Sequence, residues 1–175
     1  MSDRYQKILT DPLFLSELEK IRFYEKERIY CGHDIHHLLD VARVTYISVL
    51  EQRQTDPLAF DGQDLYELKD IIYAAALLHD IGRGREYEDQ TPHHEASSAL
   101  ASRILTACGF PAEQIHQIRA LILEHRGQRI TPATNGPDLT QLFKEADKTC
   151  RLCFICPAAD SCKWDESTKN QTVRR

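Results

Sequence analysis

Apolar residues recur along most of this chain at the three- to four-residue spacing of an α-helix, and no stretch alternates convincingly with the two-residue period of a β-strand. The pattern therefore predicts an all-α fold of about six or seven helices. The clearest helical stretches are about 12–28, 34–54, 65–80, 93–108, 111–126 and 138–152. The charged segment 85–92 and the Pro/Gly/Asn-rich segment 128–137 are predicted to be loops.

Residues that start and end helices support these boundaries. Asp34 and Asp138 precede two of the apolar stretches, where an aspartate side chain can accept hydrogen bonds from free backbone N–H groups. Asp11 is followed by a proline, which is favoured in the first turn of a helix. Gly82 and Gly109 follow two other stretches, at positions where glycine commonly ends a helix.

The composition is that of a folded globular protein, with 175 residues of which 42% are hydrophobic and 28% charged. The length fits one domain, which we place at 1–149, with an extension and polar tail at 150–175. The net charge of −5 provides no general basic field for nucleic acid, so no stable nucleic-acid complex is expected. Because no run of about 18 apolar residues occurs, we expect a cytoplasmic protein without a membrane partner.

Helical geometry sorts the eight histidines. Six nitrogen and oxygen donors lie beside apolar residues on predicted helices: His37, His79, Asp80, His94, His125 and Asp147. His36 and His116 fall on polar sides instead. His33 and His93 either stand behind these donors or are exposed, and we expect His33 to be exposed.

Burying an unpaired imidazole or carboxylate costs several kcal/mol. Six such groups that face inward from different helices most economically meet around metal, although a neutral hydrogen-bond network remains an alternative. Histidine and carboxylate are common ligands for cations that lower the pKa of a bound water molecule. The donor set therefore predicts a buried metal centre with hydrolytic chemistry.

Four segments, HHLLDVARV, AALLHDIGRG, HHEASSALASRIL and KEADK, resemble in order and spacing the motifs of the HD superfamily of metal-dependent phosphohydrolases. The resemblance covers about 30–150 and implies an HD-domain helical bundle. It implies that one metal ion is held by His37, His79, Asp80 and Asp147. The additional His94 and His125 resemble the version of the family that holds a second ion, with Asp80 bridging the two.

The resemblance also implies the reaction, which is cleavage of a phosphoester or phosphoanhydride bond by metal-activated water. One or two divalent ions, of Fe, Mn, Co, Ni or Mg, would activate the water and neutralise charge on the phosphoryl group. Asp80, Arg83 and Lys148 are the expected catalytic residues. Arg126, next to His125, is a third candidate for binding phosphate.

The substrate is expected to be a small phosphorylated molecule, and within that class we expect a nucleotide. The acidic stretch 86–89 does not reproduce the signature of the family's (p)ppGpp hydrolases, and the motif of its cyclic-dinucleotide phosphodiesterases is absent. Two other functions stay open: a di-iron oxygenase on the same ligands, and a non-catalytic nucleotide or redox sensor. The oligomeric state is left undetermined by the sequence.

Four of the six cysteines crowd into a short stretch: Cys150, Cys153, Cys156 and Cys162. In a reducing compartment such clustering indicates metal binding more than disulfides. The set predicts a [4Fe–4S] cluster or a tetrahedral zinc ion, with unliganded thiols as the alternative. Cys31 and Cys108 stand alone and are predicted to be core residues.

Overall fold

The computed structural model describes residues 3–60, 62–126 and 138–173, and all regular secondary structure in these ranges is helical. The α-helices are α1 (Tyr5–Ile8), α2 (Pro12–Tyr24), α3 (Ile35–Thr55), α4 (Leu65–Leu78), α5 (Arg83–Asp89), α6 (His93–Ala107), α7 (Ala112–Glu124) and α8 (Leu139–Thr149). Two short 3₁₀ turns follow α8, at Cys153–Ile155 and Ala159–Ser161. The predicted all-α fold is confirmed, whereas the predicted loop at 128–137 lies outside the described residues.

The predicted N-caps form as expected. The side chain of Asp34 accepts a hydrogen bond from the backbone N–H of His37, and Asp11 and Asp138 cap α2 and α8 in the same way. Helix α8 ends at Thr149, earlier than the sequence indicated. The polar tail returns to this end, where the buried Asn170 side chain donates hydrogen bonds to carbonyl oxygens of the last turn and the residues after it. This tail is therefore packed against the end of α8 at Asn170.

Helix α4 lies at the centre of the bundle and packs against α3 and α7. Its small residues 74–76 and the side chains of Leu77, Leu78 and Ile81 are fully buried. Burial of each large aliphatic side chain contributes roughly 1.5–3 kcal/mol to folding, so the end of α4 is held firmly in the core. No helix in the described ranges is long and apolar enough to cross a membrane.

The segment predicted as a charged loop at 85–92 begins with a helix instead. Helix α5 forms because Arg83 and Glu86 pair one turn apart at 3.1 Å and because the helix packs against α2 and α6. Gly82 makes the contact with α6 possible, since a Cβ atom there would lie 2.4 Å from the backbone nitrogen of Ser97 and 2.5 Å from the carbonyl oxygen of His93. This close approach brings the start of α6 next to the end of α4.

Candidate metal centre

Buried histidines and aspartates collect where several helices begin or end. His37 lies in the first turn of α3, and His79 and Asp80 directly follow α4. His93 opens α6, His125 follows α7, and Asp147 lies in the last turn of α8. All six of these side chains are buried. Helix ends meet here because the turns, unlike the helix centres, can bring polar side chains together without breaking the apolar core.

The first group consists of His37, His79, Asp80 and Asp147, each of which offers one ligand atom within 4.8 Å of the others. The Nε2 atom of His37 lies 3.1 Å from Asp147 Oδ1, and the Nε2 atom of His79 lies 3.1 Å from Asp80 Oδ2. Two imidazoles and two carboxylates thus surround a common point, which is a donor set suited to a divalent cation.

A second group consists of Asp80, His93 and His125. The Oδ1 atom of Asp80 lies 3.4 Å from His93 Nε2 and 3.9 Å from His125 Nε2. Because Oδ2 of the same carboxylate faces the first group, Asp80 is shared between the two. This arrangement fits a carboxylate that bridges two cations.

Backbone carbonyls fix the orientation of two of the rings. His79 donates from Nδ1 to the carbonyl oxygen of Ala76 at 2.7 Å, and His125 donates from Nδ1 to that of Ile122 at 2.6 Å. A carbonyl oxygen only accepts, so the proton lies on Nδ1 and the lone pair on Nε2 is directed into the site. Hydrogen bonds of this kind select the tautomer that binds metal.

Helix α5 supplies the corresponding support for His93. The Nδ1 atom of His93 lies 2.9 Å from Glu86, whose other carboxylate oxygen accepts from Arg83 at 3.1 Å. The Nε atom of Arg83 in turn donates to Asp80 Oδ1 at 3.1 Å. Burial opposes ionisation of Glu86, but the hydrogen bonds and charge of His93 and the charge of Arg83 together outweigh it and lower the pKa of this carboxyl group. The ring of interactions holds His93 and Asp80 in a fixed relation.

The buried ring nitrogens give a direct test of whether metal fits. The Nε2 atoms of His79, His93 and His125 are buried and have no hydrogen-bond partner among the described residues. Such nitrogens are destabilising unless a cation or proton satisfies them. Burial works against protonation of His79, yet the carboxylates of Asp80 and Asp147 outweigh it and raise its pKa to about 10. The site therefore has a strong affinity for positive charge, and its residues could hold a divalent metal ion.

The other histidines of the two groups are uncharged at neutral pH. Burial lowers the pKa of His37 to about 4 and that of His125 to about 3, and it also lowers the pKa of His93. A neutral ring keeps a lone pair, and metal binding to these three nitrogens needs no proton release near pH 7.

The structure brings five of the six predicted donors together and places His93, not His94, beside Asp80. Helix α6 buries several adjacent faces, including Ser97 and Ser98, which are each one turn beyond one of the two histidines. Helical periodicity therefore could not show whether His93 or His94 faces the site. The close contact at Gly82 places His93 there, because it brings the first residue of α6 to the site.

His33 is a second histidine whose position was predicted wrongly from the sequence. It was expected to be exposed, but only 3% of its surface is accessible. It makes two hydrogen bonds with the carboxylate of Glu25, one from its backbone N–H at 2.8 Å and one from ring atom Nδ1. Its Nε2 atom lies 3.9 Å from Asp80 Oδ2. The hydroxyl of Tyr87 donates to the same Glu25 carboxylate at 2.7 Å. Because Tyr87 lies on α5, this hydrogen bond holds Glu25 and His33 against that helix.

A cavity of about 510 Å³ opens beside the two groups. His33, Arg83 and His93, all neighbours of Asp80, form its inner wall. Its lining contains five cationic side chains, Arg28, Arg83, Arg126, Arg151 and Lys163. Among the described residues that line this cavity, Glu86 is the one carboxylate. A strongly positive cavity in a chain of net charge −5 indicates an anionic ligand.

The basic residues selected from the sequence are distributed unequally around this cavity. Arg83 is buried and Arg126 is exposed, and both line the cavity. Lys148 is exposed on α8 and does not line it. Arg151 was missed, although it is buried and its NH2 group lies 2.8 Å from His37 Nε2 and 3.5 Å from Asp147 Oδ1. Its position four residues after Asp147 was the signal that could have identified it.

The structure does not show the predicted four-cysteine site. No three cysteine sulfur atoms of the described residues lie within 4.8 Å of one another. Cys150 is the first residue after the end of α8. Its side chain faces the histidines, with Sγ 3.4 Å from His37 Nδ1. Cys108 is buried as predicted, whereas Cys31 is partly exposed at the cavity wall.

Comparisons with known proteins agree with the geometry. The family model of the HD domain matches residues 34–162. A protein of Clostridium beijerinckii (strain ATCC 51743 / NCIMB 8052), described as an uncharacterized protein, is 36% identical over 168 residues, which cover 96% of each chain. No solved structure matches the chain significantly. Since the family model spans most of the chain and contains both histidine groups, the chain belongs to the HD domain family.

Proposed function

We propose that this protein is a hydrolase that cleaves a phosphoester or phosphoanhydride bond of a nucleotide, with a pair of divalent metal ions as cofactor. Membership of the HD domain family supports metal-dependent hydrolysis in general terms. The observation that carries the proposal is the sharing of Asp80 between two buried groups of donors at the wall of a cationic cavity.

The two groups would hold the two ions. His37, His79 and Asp147 would bind one, His93 and His125 would bind the other, and Asp80 would contact both. When bound, such a pair of ions lowers the pKa of water and neutralises charge on phosphoryl oxygens. The chain itself supplies orientation, since the hydrogen bonds at the Nδ1 atoms keep the Nε2 lone pairs aimed into the site.

The cationic residues of the cavity would bind the phosphate groups. Arg83 already donates to Asp80 and Glu86, so it holds the Asp80 carboxylate in place at the inner end of the cavity. Arg28, Arg126 and Lys163 line the same cavity. A planar guanidinium group can donate two parallel hydrogen bonds to one phosphate, which makes arginine well suited to this task.

Trp164 supports a nucleotide as the substrate. Trp164 lines the cavity together with Tyr30. An aromatic ring beside cationic side chains suits a ligand with a flat base and a phosphate group, because stacking on a base contributes about 1–3 kcal/mol. The volume of about 510 Å³ is in the range of pockets for small molecules.

His33 would handle a proton at the cavity. Burial lowers its pKa, and the Glu25 carboxylate holds Nδ1 so that Nε2 faces Asp80. A neutral imidazole in this position can accept a proton at Nε2 from an attacking water and, once protonated, can pass that proton to the leaving group. Histidine oriented by a carboxylate is a common arrangement for this role.

The proposal is tested by screening phosphate release from nucleotides, deoxynucleotides and dinucleoside polyphosphates after reconstitution with Mn²⁺ or Fe²⁺. We expect Asp80→Asn and His79→Ala to lower turnover by more than ~100-fold, because each removes a ligand. His116→Ala, which changes an exposed histidine on α7, is the matched control and should keep full activity.

Trp164→Ala separates a nucleotide substrate from other phosphates. It should raise KM for a nucleotide about tenfold or more while leaving hydrolysis of inorganic pyrophosphate unchanged. Nucleotide binding without product, with either metal supplied, would contradict hydrolysis and favour the sensor function. Consumption of dioxygen by the iron-loaded protein would favour the oxygenase.

A further inference from the structure

Two of the four histidines in the donor groups are oriented by the end of a helix. His79 and His125 each directly follow a helix, and each donates from Nδ1 to the carbonyl oxygen three residues earlier, at 2.7 Å and 2.6 Å. These acceptors are available because the last four carbonyl groups of an α-helix have no partner within the helix. The backbone alone can therefore hold a histidine at this place.

His37 and His93 lie in the first turns of α3 and α6, where the opposite holds. The first turn of a helix presents unpaired N–H groups, whereas its carbonyl groups accept within the helix. A ring at this place therefore needs a side chain as its acceptor. For His93 that side chain is Glu86, whose Oε1 atom lies 2.9 Å from Nδ1. For His37 the atom beside Nδ1 is the sulfur of Cys150, at 3.4 Å.

The proton of the His37 ring points toward this sulfur. The guanidinium group of Arg151 lies 2.8 Å from His37 Nε2, and a guanidinium group can only donate, so Nε2 accepts. Asp147 Oδ1 lies 3.1 Å from the same Nε2 atom but takes part in no hydrogen bond among the described residues. A neutral ring that accepts at Nε2 carries its proton on Nδ1. The Nδ1–H group of His37 thus donates to Cys150 Sγ.

The same thiol also contacts the helix that carries another ligand. The S–H group of Cys150 donates to the carbonyl oxygen of Asp147, 3.6 Å from Sγ, in the last turn of α8. Cys150 therefore accepts from α3 and donates to α8. Because His37 and Asp147 belong to the same donor group, the thiol joins the two segments that supply these ligands.

We propose that Cys150 is a positioning residue of the first metal group, which keeps the Nε2 lone pair of His37 directed into the site. It binds neither metal nor substrate itself. The inference rests on the proposed function, since it assigns a cation to this group. Removal of a side chain that orients a metal ligand typically weakens metal binding by about 10–100-fold. Sulfur is a weak acceptor, so we expect the lower end of this range.

The first test measures the affinity of the first group for Mn²⁺. Every protein carries His93→Ala, so that the second group is disabled. Cys150→Ala removes the acceptor and should weaken binding about tenfold, whereas Cys150→Ser keeps an acceptor and should stay within about threefold of the parent. Cys108→Ala is the matched control, because Cys108 is also the first residue after a helix but belongs to neither donor group. It should leave the affinity unchanged.

The second test needs no metal and no hydrolysis. In the metal-free chain with His93 intact, ¹⁵N NMR of labelled histidines should show a protonated Nδ1 on His37. This proton should exchange with water faster in Cys150→Ala than in Cys150→Ser.

Equal Mn²⁺ affinity in Cys150→Ala and Cys150→Ser would overturn the proposal, as would an unprotonated Nδ1 on His37 in the parent. If the parent with His93 intact binds no Mn²⁺, the proposed function is wrong, and the NMR measurement still decides whether Cys150 holds His37. The two proposals can therefore fail separately.

Discussion

The guanidinium group of Arg151 lies 2.8 Å from the Nε2 atom of His37, the atom that faces Asp147 and Asp80. Arg151 also donates to the carbonyl oxygen of Gly32 at 2.7 Å, so its position is fixed from both sides. A cation that binds His37 Nε2 must take the place of this hydrogen bond. Binding of a metal ion at the first group would therefore displace the guanidinium group of Arg151, and with it a positive charge of the cavity.

Arg151→Ala should change metal binding and substrate binding in opposite directions. Removal of a competing hydrogen bond of about 1.4 kcal/mol should tighten metal binding roughly tenfold. Loss of the positive charge should raise KM for a phosphorylated substrate. Metal affinity can be measured by titration with Mn²⁺, and KM by phosphate release.

Lys163→Ala is the matched control, because Lys163 lines the same cavity but is remote in sequence from the ligands of α8. It should raise KM and leave metal affinity unchanged. The role assigned to Arg151 is wrong if its alanine variant binds Mn²⁺ no more tightly than the Lys163 variant does.

His93→Ala and His94→Ala form a second matched pair of neighbouring substitutions. The first removes the ring nitrogen that lies 3.4 Å from Asp80 Oδ1, and it should reduce bound metal from about two ions per chain to about one, with a large loss of turnover. The second removes a ring that belongs to neither donor group and should keep both ions. Elemental analysis of the two variants decides between the two histidines, and a greater metal loss in His94→Ala would reverse the assignment.

Gly82→Ala should destabilise the fold near the site. A Cβ atom there would lie 2.4 Å from a backbone nitrogen of α6, and the cost of forcing the helices apart is about 3 kcal/mol. The expected fall in Tm is roughly 6–12 °C by calorimetry. At Gly32, the atom nearest to an added Cβ is 3.6 Å away, so Gly32→Ala should cost less than about 0.5 kcal/mol. Equal Tm values for the two variants would show that α6 does not need the close contact.

Acid stability should depend on Glu25. Burial opposes ionisation of this carboxyl group, but the hydrogen bonds and charge of His33 and the hydrogen bond from Tyr87 together outweigh it and lower its pKa to about 2 from an ordinary 4.5. A lowered pKa means that the ionised form stabilises the native state above about pH 4.5, and that this stability disappears as the pH falls toward 2. Because Glu25 is partly accessible, we expect a contribution of about 1–2 kcal/mol.

Glu25→Gln removes this titration. Its free energy of unfolding, measured by urea denaturation from pH 6 to pH 2.5, should be lower than that of the parent at pH 6 and approach it at acidic pH. A constant difference across this range would contradict the assigned ionisation of Glu25.

Much of the fold could be read from the sequence because helix signals are local. Asp34 and Asp138 cap helices where the sequence indicated, and α4 ends at Leu78, two residues before the predicted end at 80, so that His79 and Asp80 directly follow it. Helix α5 was missed, because its stability depends on contacts with α2 and α6 in addition to the ion pair between Arg83 and Glu86. Packing against other helices is a property that a local pattern cannot express.

The sequence by itself determined the helical architecture, the burial of His37, His79 and Asp147, and the family, since spacing along a helix and short motifs carry that information. The tertiary structure decided between neighbours: His93 over His94, Arg151 over Lys148 at the cavity, and the position of Cys150 beside His37. Adjacent residues on a helix differ by about 100° of rotation, and several faces of a central helix can be buried at once. Which face meets the site depends on close contacts between helices, such as the one that Gly82 permits.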